Sequence, residues 1–172
     1  MSIPVRINIT PLYEDEMSVL SAQTIRAFCV TSQKMIDPFV ERSKHEKTNM
    51  SYGLSACGYD VRLDQSIKVV PGSFVLASTL EKFRIPNNLV GVVHDKSTLA
   101  RRGLACQNTV VEPGWEGWLT LELTNHANET IELEEGSPIA QILFHLLDKA
   151  TTQPYEKNGK YQHQERGPQK AR

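Results

Sequence analysis

The chain has 172 residues, of which 40% are hydrophobic and 23% are charged, and its formal net charge is -1. A chain of this length and composition can bury one core without disulfide or metal staples. The near-neutral charge provides no basic surface field, so a nucleic-acid partner is not expected. No apolar run reaches the roughly 18 residues of a membrane span, and no signal-peptide pattern begins the sequence. We therefore expect a soluble, cytoplasmic protein with no membrane partner.

The first part of the chain is predicted to contain one helix between two polar segments. Residues 1–18 are polar, contain two prolines and are interpreted as an extension. A short helix is predicted from Ser21, which suits an N-cap and places three apolar residues near one side: Leu20, Ile25 and Phe28. The segment 41–49 is charged and almost without apolar residues, so it is predicted to be a solvated loop.

After Gly58 the sequence changes to short strands separated by turns. The predicted strands are 59–63, 66–70, 74–80, 89–93, 119–123, 130–133 and 139–146. Turn residues lie at 86–88, 113–114, 125–128 and 136. Many short strands at this spacing predict an all-β barrel or sandwich, and no helix–strand alternation favours a parallel sheet.

The cysteines and the missing motifs exclude several kinds of site. Cys29, Cys57 and Cys106 are far apart and form no C-x-x-C pair, so neither a disulfide framework nor a cysteine-rich zinc site is expected. We interpret them as buried or partly buried thiols in a reducing cytosol. The sequence contains no P-loop and no G-x-S-x-G elbow.

The segment 96–103 (KSTLARRG) interrupts the series of strands. Ser97 and Arg101 are four residues apart, so one helical turn would place both on one face. Gly103 suits the position that ends such a turn. A hydroxyl and a guanidinium on one face can bind a phosphate or the polar edge of a base. A capped surface turn without function remains the alternative.

The segment 118–125 (WLTLELTN) alternates with the period of a β-strand. The alternation predicts one apolar and one polar face, with Leu119, Leu121 and Leu123 on the first and Thr120, Glu122 and Thr124 on the second. The polar face could simply contact solvent. It could instead line a cleft, where a partly desolvated Glu122 would have a raised pKa and could transfer protons.

Two further segments carry candidate ligand-binding residues. The segment 112–117 (EPGWEG) has the composition of a hairpin turn, in which Glu112 could approach a ligand. The tail from residue 156 onward is polar and, taken alone, would be predicted to be disordered. Its Lys160 could bind a terminal phosphate, and the preceding Tyr155 could stack on a ligand or donate a hydrogen bond.

Five segments, in matching order from about residue 19 to residue 168, resemble the dCTP deaminase family, a branch of the trimeric dUTPase superfamily. They are 55–62 (SACGYDVR), 96–101 (KSTLAR), 112–122 (EPGWEGWLTLE), 139–141 (IAQ), and Tyr155 with 159–164 (GKYQHQ). Lys96 and Glu112 stand where many members have arginine and aspartate, a variation that resembles a subgroup with K-S-T and E-P-x-W-E-G.

The resemblance implies a mainly β fold, a distorted dUTPase-like barrel of the β-clip type with a few short helices. It divides the chain into an extension (1–18), a barrel domain (19–154) and a tail (155–172) that closes over bound nucleotide. It also implies a homotrimer whose active sites lie between subunits. Mg²⁺ would be bound through the triphosphate, with neither zinc nor a metal site on the protein.

The implied activity is hydrolytic deamination of dCTP to dUTP and ammonia, which supplies dUTP for thymidylate synthesis. Zinc cytidine deaminases combine H-x-E with P-C-x-x-C, a combination that this sequence lacks. By resemblance the catalytic residues are Glu122, Ser97 and Arg101. The implied nucleotide-binding residues are Lys96, Ser97, Thr98, Leu99, Ala100, Arg101, Glu112, Thr120, Leu121, Glu122, Gln141, Tyr155, Lys160 and Gln164.

Three alternatives remain open within this resemblance. A dUTP pyrophosphatase is disfavoured, because Glu112 and Trp115 stand in the hairpin where that activity has an aspartate base and a uracil-facing tyrosine. A bifunctional enzyme that also releases pyrophosphate would carry the same deamination residues. A non-catalytic nucleotide-binding trimer is disfavoured by the intact set of Ser97, Arg101 and Glu122.

Overall fold

The computed structural model describes residues 18–171, so the predicted extension lies almost entirely outside the described residues. The helices are α1 (Ala22–Cys29) and α2 (Ser97–Ala100), with a 3-10 turn at Tyr155–Lys157. The strands are β1 (Ile36–Asp37), β2 (Ser43–Lys44), β3 (Ser51–Leu54), β4 (Tyr59–Arg62), β5 (Ile67–Val69), β6 (Phe74–Arg84), β7 (Leu89–Asp95), β8 (Leu104–Cys106), β9 (Val110–Val111), β10 (Glu116–Asn125), β11 (Ile131–Leu133) and β12 (Pro138–Leu146). Neither helix of this described part is long and apolar enough to cross a membrane.

The strands form three antiparallel sheets around one core. Their orders are β1-β6-β10-β8, β11-β5 and β2-β3-β4-β12-β7-β9. The predicted fold class, a mainly β dUTPase-like fold with a few short helices, is confirmed. Within residues 18–171 the sheets do not close into one continuous hydrogen-bonded barrel, so the barrel is a distorted one.

All seven predicted strands are present, but the two long central strands extend further than expected. β6 continues to Arg84, and β10 begins at Glu116 and ends at Asn125. These strands pair with each other along most of their length, and the hairpin 112–115 directly precedes β10. The short strands β1, β2, β3, β8 and β9 were not predicted, and β2 lies within the predicted loop 41–49.

Helix α1 begins and packs as the sequence predicts. Ile25 and Cys29 are buried in the core, and Phe28 packs against it. Ser21 precedes the helix, although its side chain contacts Thr24 and makes no hydrogen bond to a helical amide. Burial raises the pKa of the Cys29 thiol to about 12, which is consistent with an unreactive core thiol.

The predicted alternation along β10 is wrong at Leu119. The pairing of β10 with β6 shifts between Trp118 and Thr120, so that residues 79–81 of β6 lie opposite one residue of β10. The Thr79 hydroxyl accepts a hydrogen bond from the Leu119 amide at 3.0 Å, in place of a ladder bond. Because the alternation is interrupted here, Leu119 contributes to the same cavity as Thr120.

A buried ion pair connects the two larger sheets. Glu81 on β6 is fully buried, and its carboxylate accepts hydrogen bonds from the backbone amide (2.9 Å) and Nε (2.8 Å) of Arg62 on β4. Burial raises the pKa of Glu81, while the Arg62 amide and guanidinium oppose that rise. The Arg62 guanidinium also lies 4.8 Å from the centre of the Tyr52 ring. This pair joins β4 to β6 and thereby connects the two larger sheets.

Candidate functional site

A cavity of about 470 Å³ lies between β10, the hairpin before it and the C-terminal tail. Its volume is within the range of small-ligand sites, about 300–1,000 Å³. Its wall is mostly apolar with a few polar groups, and consists of Phe74, Leu76, Thr109, Val110, Val111, Glu112, Trp115, Leu119, Thr120, Glu122, Tyr155, Tyr161, Gln164, Gln169, Lys170 and Ala171. The cavity therefore brings together five of the predicted site residues: Glu112, Thr120, Glu122, Tyr155 and Gln164.

Glu122 lies on β10 and is the half-buried carboxylate of this wall. Burial raises its pKa above the usual value for a glutamate. Its Oε2 is buried and makes no hydrogen bond to any described residue. The Glu122 carbonyl accepts a bond from the Gln107 amide at 2.9 Å, which holds the strand in place. A carboxylate whose pKa is raised by burial is a stronger base than an exposed one and is suited to proton transfer.

The Thr120 hydroxyl faces the cavity but is already occupied by the tail. It accepts hydrogen bonds from Nε2 of Gln164 at 2.6 Å and from the Gln169 amide at 3.0 Å. Gln164 is 6% exposed and also donates to the Trp118 carbonyl at 2.8 Å. Thr120 thus links the strand that carries Glu122 to two separate parts of the tail.

The tail is folded against the hairpin and β10, unlike the disorder expected from its composition alone. The Trp118 amide donates to the Gln164 carbonyl at 3.1 Å, and the Trp115 indole donates to the Tyr161 carbonyl at 2.9 Å. Gly117 permits the close approach, because a Cβ there would lie 2.8 Å from the Gln164 nitrogen. These bonds use specific partners in the barrel, which composition alone does not reveal.

Tyr155 forms the first contact of the tail with the barrel. Its amide donates to the Pro113 carbonyl at 2.8 Å, and its hydroxyl accepts from the Tyr161 amide at 3.0 Å. A side chain at Gly159 would overlap the Tyr155 ring, since a Cβ there would lie 1.9 Å from a ring carbon. The 3-10 turn therefore holds both tyrosines at the rim of the cavity.

The charges in the wall are unevenly distributed. Glu112 and Glu122 supply two carboxylates, while Lys170 is the one lysine or arginine that the described residues contribute. The nearby Glu116 belongs to a separate ion pair with Lys82 and Arg84. Burial would raise the pKa of Glu116, but those two cations outweigh burial and hold it below its usual value.

The segment 96–101 forms the predicted helical turn, but it lies outside the cavity of its own chain. The Arg101 amide donates to the Ser97 carbonyl at 3.1 Å, and Gly103 ends the turn with a φ of +85°. The turn is exposed at Ser97, Thr98, Ala100 and Arg101, whereas Leu99 is buried. Lys96 is 7% exposed, and its Nζ lies 3.0 Å from Oδ2 of Asp60.

Three other predicted residues also lie outside this cavity. Leu121 is buried in the core. Gln141 on β12 donates to the Ser55 hydroxyl at 3.2 Å. Lys160 is exposed, with its Nζ 5.4 Å from the centre of the Tyr161 ring.

Several wall residues were not predicted from the sequence. Trp115 lies in the predicted hairpin and is 5% exposed, so a tryptophan within a turn was the available signal. Gln169 and Lys170 follow the last recognisable block, and no sequence signal indicated them. Within residues 18–171, no three histidine, cysteine, aspartate or glutamate side chains are grouped as metal ligands would be.

Known structures with this fold include dUTPases. The native EIAV dUTPase aligns with a TM-score of 0.52 at 22% identity, covering 72% of this chain and 98% of that one. A D95N mutant of the dUTPase from phage phi11 of S. aureus, described with a structural Mg(II) ion, also aligns at 0.52 with 15% identity over 81% of this chain and 95% of that one. At these identities the likeness shows the fold alone.

Sequence relatives identify the family. A dCTP deaminase from Protochlamydia amoebophila (strain UWE25) is 34% identical in an alignment of 181 positions, which covers 86% of this chain and 96% of that protein. A dCTP deaminase from Herpetosiphon aurantiacus is 36% identical in an alignment of 160 positions, which covers 76% of this chain and 86% of that protein. Residues 59–147 match the model of the dCTP deaminase-like family. With this match and with similarity along most of its length, the chain belongs to the dCTP deaminase-like family.

Proposed function

We propose that this protein is an enzyme that hydrolyses dCTP to dUTP and ammonia, with Glu122 as the general base and without zinc. The observation that carries the proposal is the half-buried Glu122 carboxylate, whose Oε2 has no partner among the described residues and whose pKa is raised by burial. The relatives named dCTP deaminase support the substrate.

Glu122 would perform the proton transfers that the reaction requires. Deamination replaces the amino group at C4 of cytosine by an oxygen from water. The carboxylate removes a proton from that water, and the new C–O bond gives a tetrahedral centre. Glu122 delivers that proton to N3 of the cytosine ring and then moves the proton of the new hydroxyl to the amino group, so that the C4–N bond breaks and ammonia leaves. General acid–base catalysis contributes about 10²–10⁴-fold, so positioning and electrostatics must supply the rest.

The direct test is product analysis. Purified protein is incubated with dCTP and Mg²⁺, with and without a zinc chelator, and the products are separated by base and by phosphate number. We expect dUTP and ammonia at the same rate in both incubations. Formation of dUMP and pyrophosphate would indicate a bifunctional enzyme, and loss of activity with the chelator would contradict the zinc-free mechanism.

We also propose that the active site is completed by a second subunit of a homotrimer. Ser97 and Arg101 carry groups suited to orienting water, the leaving amino group and Glu122, yet they lie on an exposed turn outside the cavity of their own chain. A copy related by symmetry can supply them. Lys96, next to this turn, would contribute charge toward the triphosphate.

Co-expression of two inactive variants tests this arrangement. E122Q subunits lack the base and S97A subunits lack the hydroxyl, so each homotrimer alone is expected to be inactive. In a random 1:1 mixture, about one quarter of shared sites would combine an intact Glu122 with an intact Ser97 from a neighbour. Activity near that level supports shared sites, whereas background activity in the mixed trimers would contradict them.

The tail from residue 155 is proposed to close over the nucleotide. It supplies six of the sixteen residues of the cavity wall, which include Tyr155 and Gln164. Ending the chain after Pro154 is expected to raise KM for dCTP by at least about tenfold, because those contacts and the exclusion of water are lost. An unchanged KM in a truncated protein that still unfolds cooperatively would contradict the lid.

The charge of the cavity wall bears on how the nucleotide would enter the site. Glu112 and Glu122 would repel a bare triphosphate, so we propose that Mg²⁺ enters with the nucleotide and lowers its charge.

None of the three cysteines forms a disulfide, which suits the reducing cytoplasm in which we propose the protein acts.

A further inference from the structure

The last part of the tail re-enters the cavity beyond the segment that resembles the family. Gln169, Lys170 and Ala171 all contribute to the cavity wall. Gly167 has a φ of +96°, a left-handed conformation that turns the chain after Arg166. The Gln169 amide then donates to the Thr120 hydroxyl at 3.0 Å. The segment 166–170 is thus placed by a backbone turn and by a bond to the strand that carries Glu122.

An ion pair fixes the start of this segment on the barrel. Arg166 Nε lies 3.4 Å from Oδ2 of Asp64, whose side chain is only 5% exposed, and Nη2 lies 3.8 Å from Oε1 of Glu135. Asp64 follows β4, and its amide donates to the carbonyl of Ser78 on β6, the residue that pairs with Thr120 on β10. The segment is therefore attached at two points, Asp64 and Thr120, and Lys170 follows the second attachment.

Lys170 adds a cation to a cavity wall that otherwise has two carboxylates. It is the sole lysine or arginine in the wall formed by residues 18–171, a wall that also contains the carboxylates of Glu112 and Glu122. An anionic ligand in this cavity would meet two like charges and one opposite charge from its own chain. A lysine ammonium suits such a ligand, because it binds phosphate oxygens as a compact cation with three donors.

We infer that Lys170 binds the triphosphate end of the nucleotide, and that Arg166, anchored on Asp64, is the positioning residue that holds it there. This inference rests on the proposed function for the identity of the nucleotide. It adds to that function a cation that lies outside the family's recognisable blocks. Lys160, by comparison, lies outside the cavity wall.

The first experiment measures the effect of Lys170 on binding. K170A is expected to raise KM for dCTP by about two- to tenfold with little change in kcat, and K170R is expected to restore most of the loss. The control is K149A, which removes the same charge from an exposed lysine outside the cavity wall. An unchanged KM in K170A, or an equal rise in K149A, would overturn the inference.

The number of phosphates provides the specific readout. In the E122Q background, where turnover does not interfere, titration calorimetry compares dCTP, dCDP and dCMP with and without K170A. We expect the fold-loss caused by K170A to be largest for dCTP and smallest for dCMP. An equal fold-loss for all three nucleotides would indicate a general effect on the fold and would overturn phosphate binding.

A double-mutant cycle tests the positioning role of Arg166. R166A is expected to raise KM for dCTP nearly as much as K170A, and R166A/K170A is expected to add little to K170A alone. R166K retains a cation near Asp64 and should lose less than R166A. Independent, additive losses in the double variant would contradict positioning.

The inference and the proposed function can fail separately. If the wild-type protein deaminates dCTP and K170A leaves both KM and the calorimetric affinity unchanged, the inference fails alone. If the wild-type protein binds dCTP without deaminating it and K170A weakens that binding, the proposed function fails and the inference stands. If neither dCTP nor inorganic tripolyphosphate binds, both fail.

Discussion

The Glu122→Gln variant is expected to lose dCTP deamination by at least about 10²–10⁴-fold, because the amide keeps the size of the side chain but cannot accept a proton. Its Kd for dCTP should stay close to the wild-type value, since the cavity wall is otherwise unchanged. Steady-state turnover and titration calorimetry measure the two quantities. Deamination near the wild-type rate would show that another group is the base.

Glu132 provides a matched control for this substitution. It is an exposed glutamate on β11, paired with Lys68 and outside the cavity wall. E132Q makes the same chemical change and should leave both kcat and KM at wild-type values. A comparable loss in E132Q would trace the effect to protein quality and not to proton transfer.

The Glu81→Ala variant is expected to lower the free energy of unfolding by about 3–5 kcal/mol, because it leaves the Arg62 guanidinium largely buried without its partner. Glu81 is fully buried, and the Arg62 side chain is 14% exposed. The Arg62 amide would lose its acceptor as well. Urea unfolding at one fixed protein concentration gives the value, since the proposed subunit association would also contribute to apparent stability.

The exposed Lys68–Glu132 pair is the matched control for Glu81. Its atoms are separated by 2.8 Å, the same distance as the Arg62–Glu81 contact, but its side chains are 65% and 66% exposed. E132A should change the free energy of unfolding by less than about 1 kcal/mol. Equal losses in the two variants would contradict the view that burial, and not distance, makes the Glu81 pair important.

The strands and the polar face of β10 could be predicted because both depend on local pattern. The period of two along 118–125 placed Thr120 and Glu122 on one side, and both line the cavity. The turn at Gly103 could be predicted for the same reason, since a glycine after one helical turn suits a positive φ.

The remaining features depend on partners distant in sequence. Leu119 joins the cavity because Thr79, forty positions earlier, replaces a ladder bond with its side chain. The tail is ordered because Gln164 and Gln169 donate hydrogen bonds to the Thr120 hydroxyl. The polar sequence around the two glutamines does not indicate this distant partner. The sequence of residues 96–101 predicts the turn correctly. It does not predict that the turn lies outside the cavity, because the position of the turn depends on how separate sheets pack.

The double attachment of the tail at Thr120 has a thermodynamic consequence. The tail forms part of the cavity wall, so a ligand binds more tightly when the tail is ordered. By reciprocity, bound ligand stabilises the ordered tail by the same free energy. Ligand affinity and the stability of the ordered tail therefore report the same coupling free energy. The rate at which trypsin cleaves after Lys157 or Lys160 should therefore fall as ligand fills the cavity. It measures binding without a label and without turnover of the ligand.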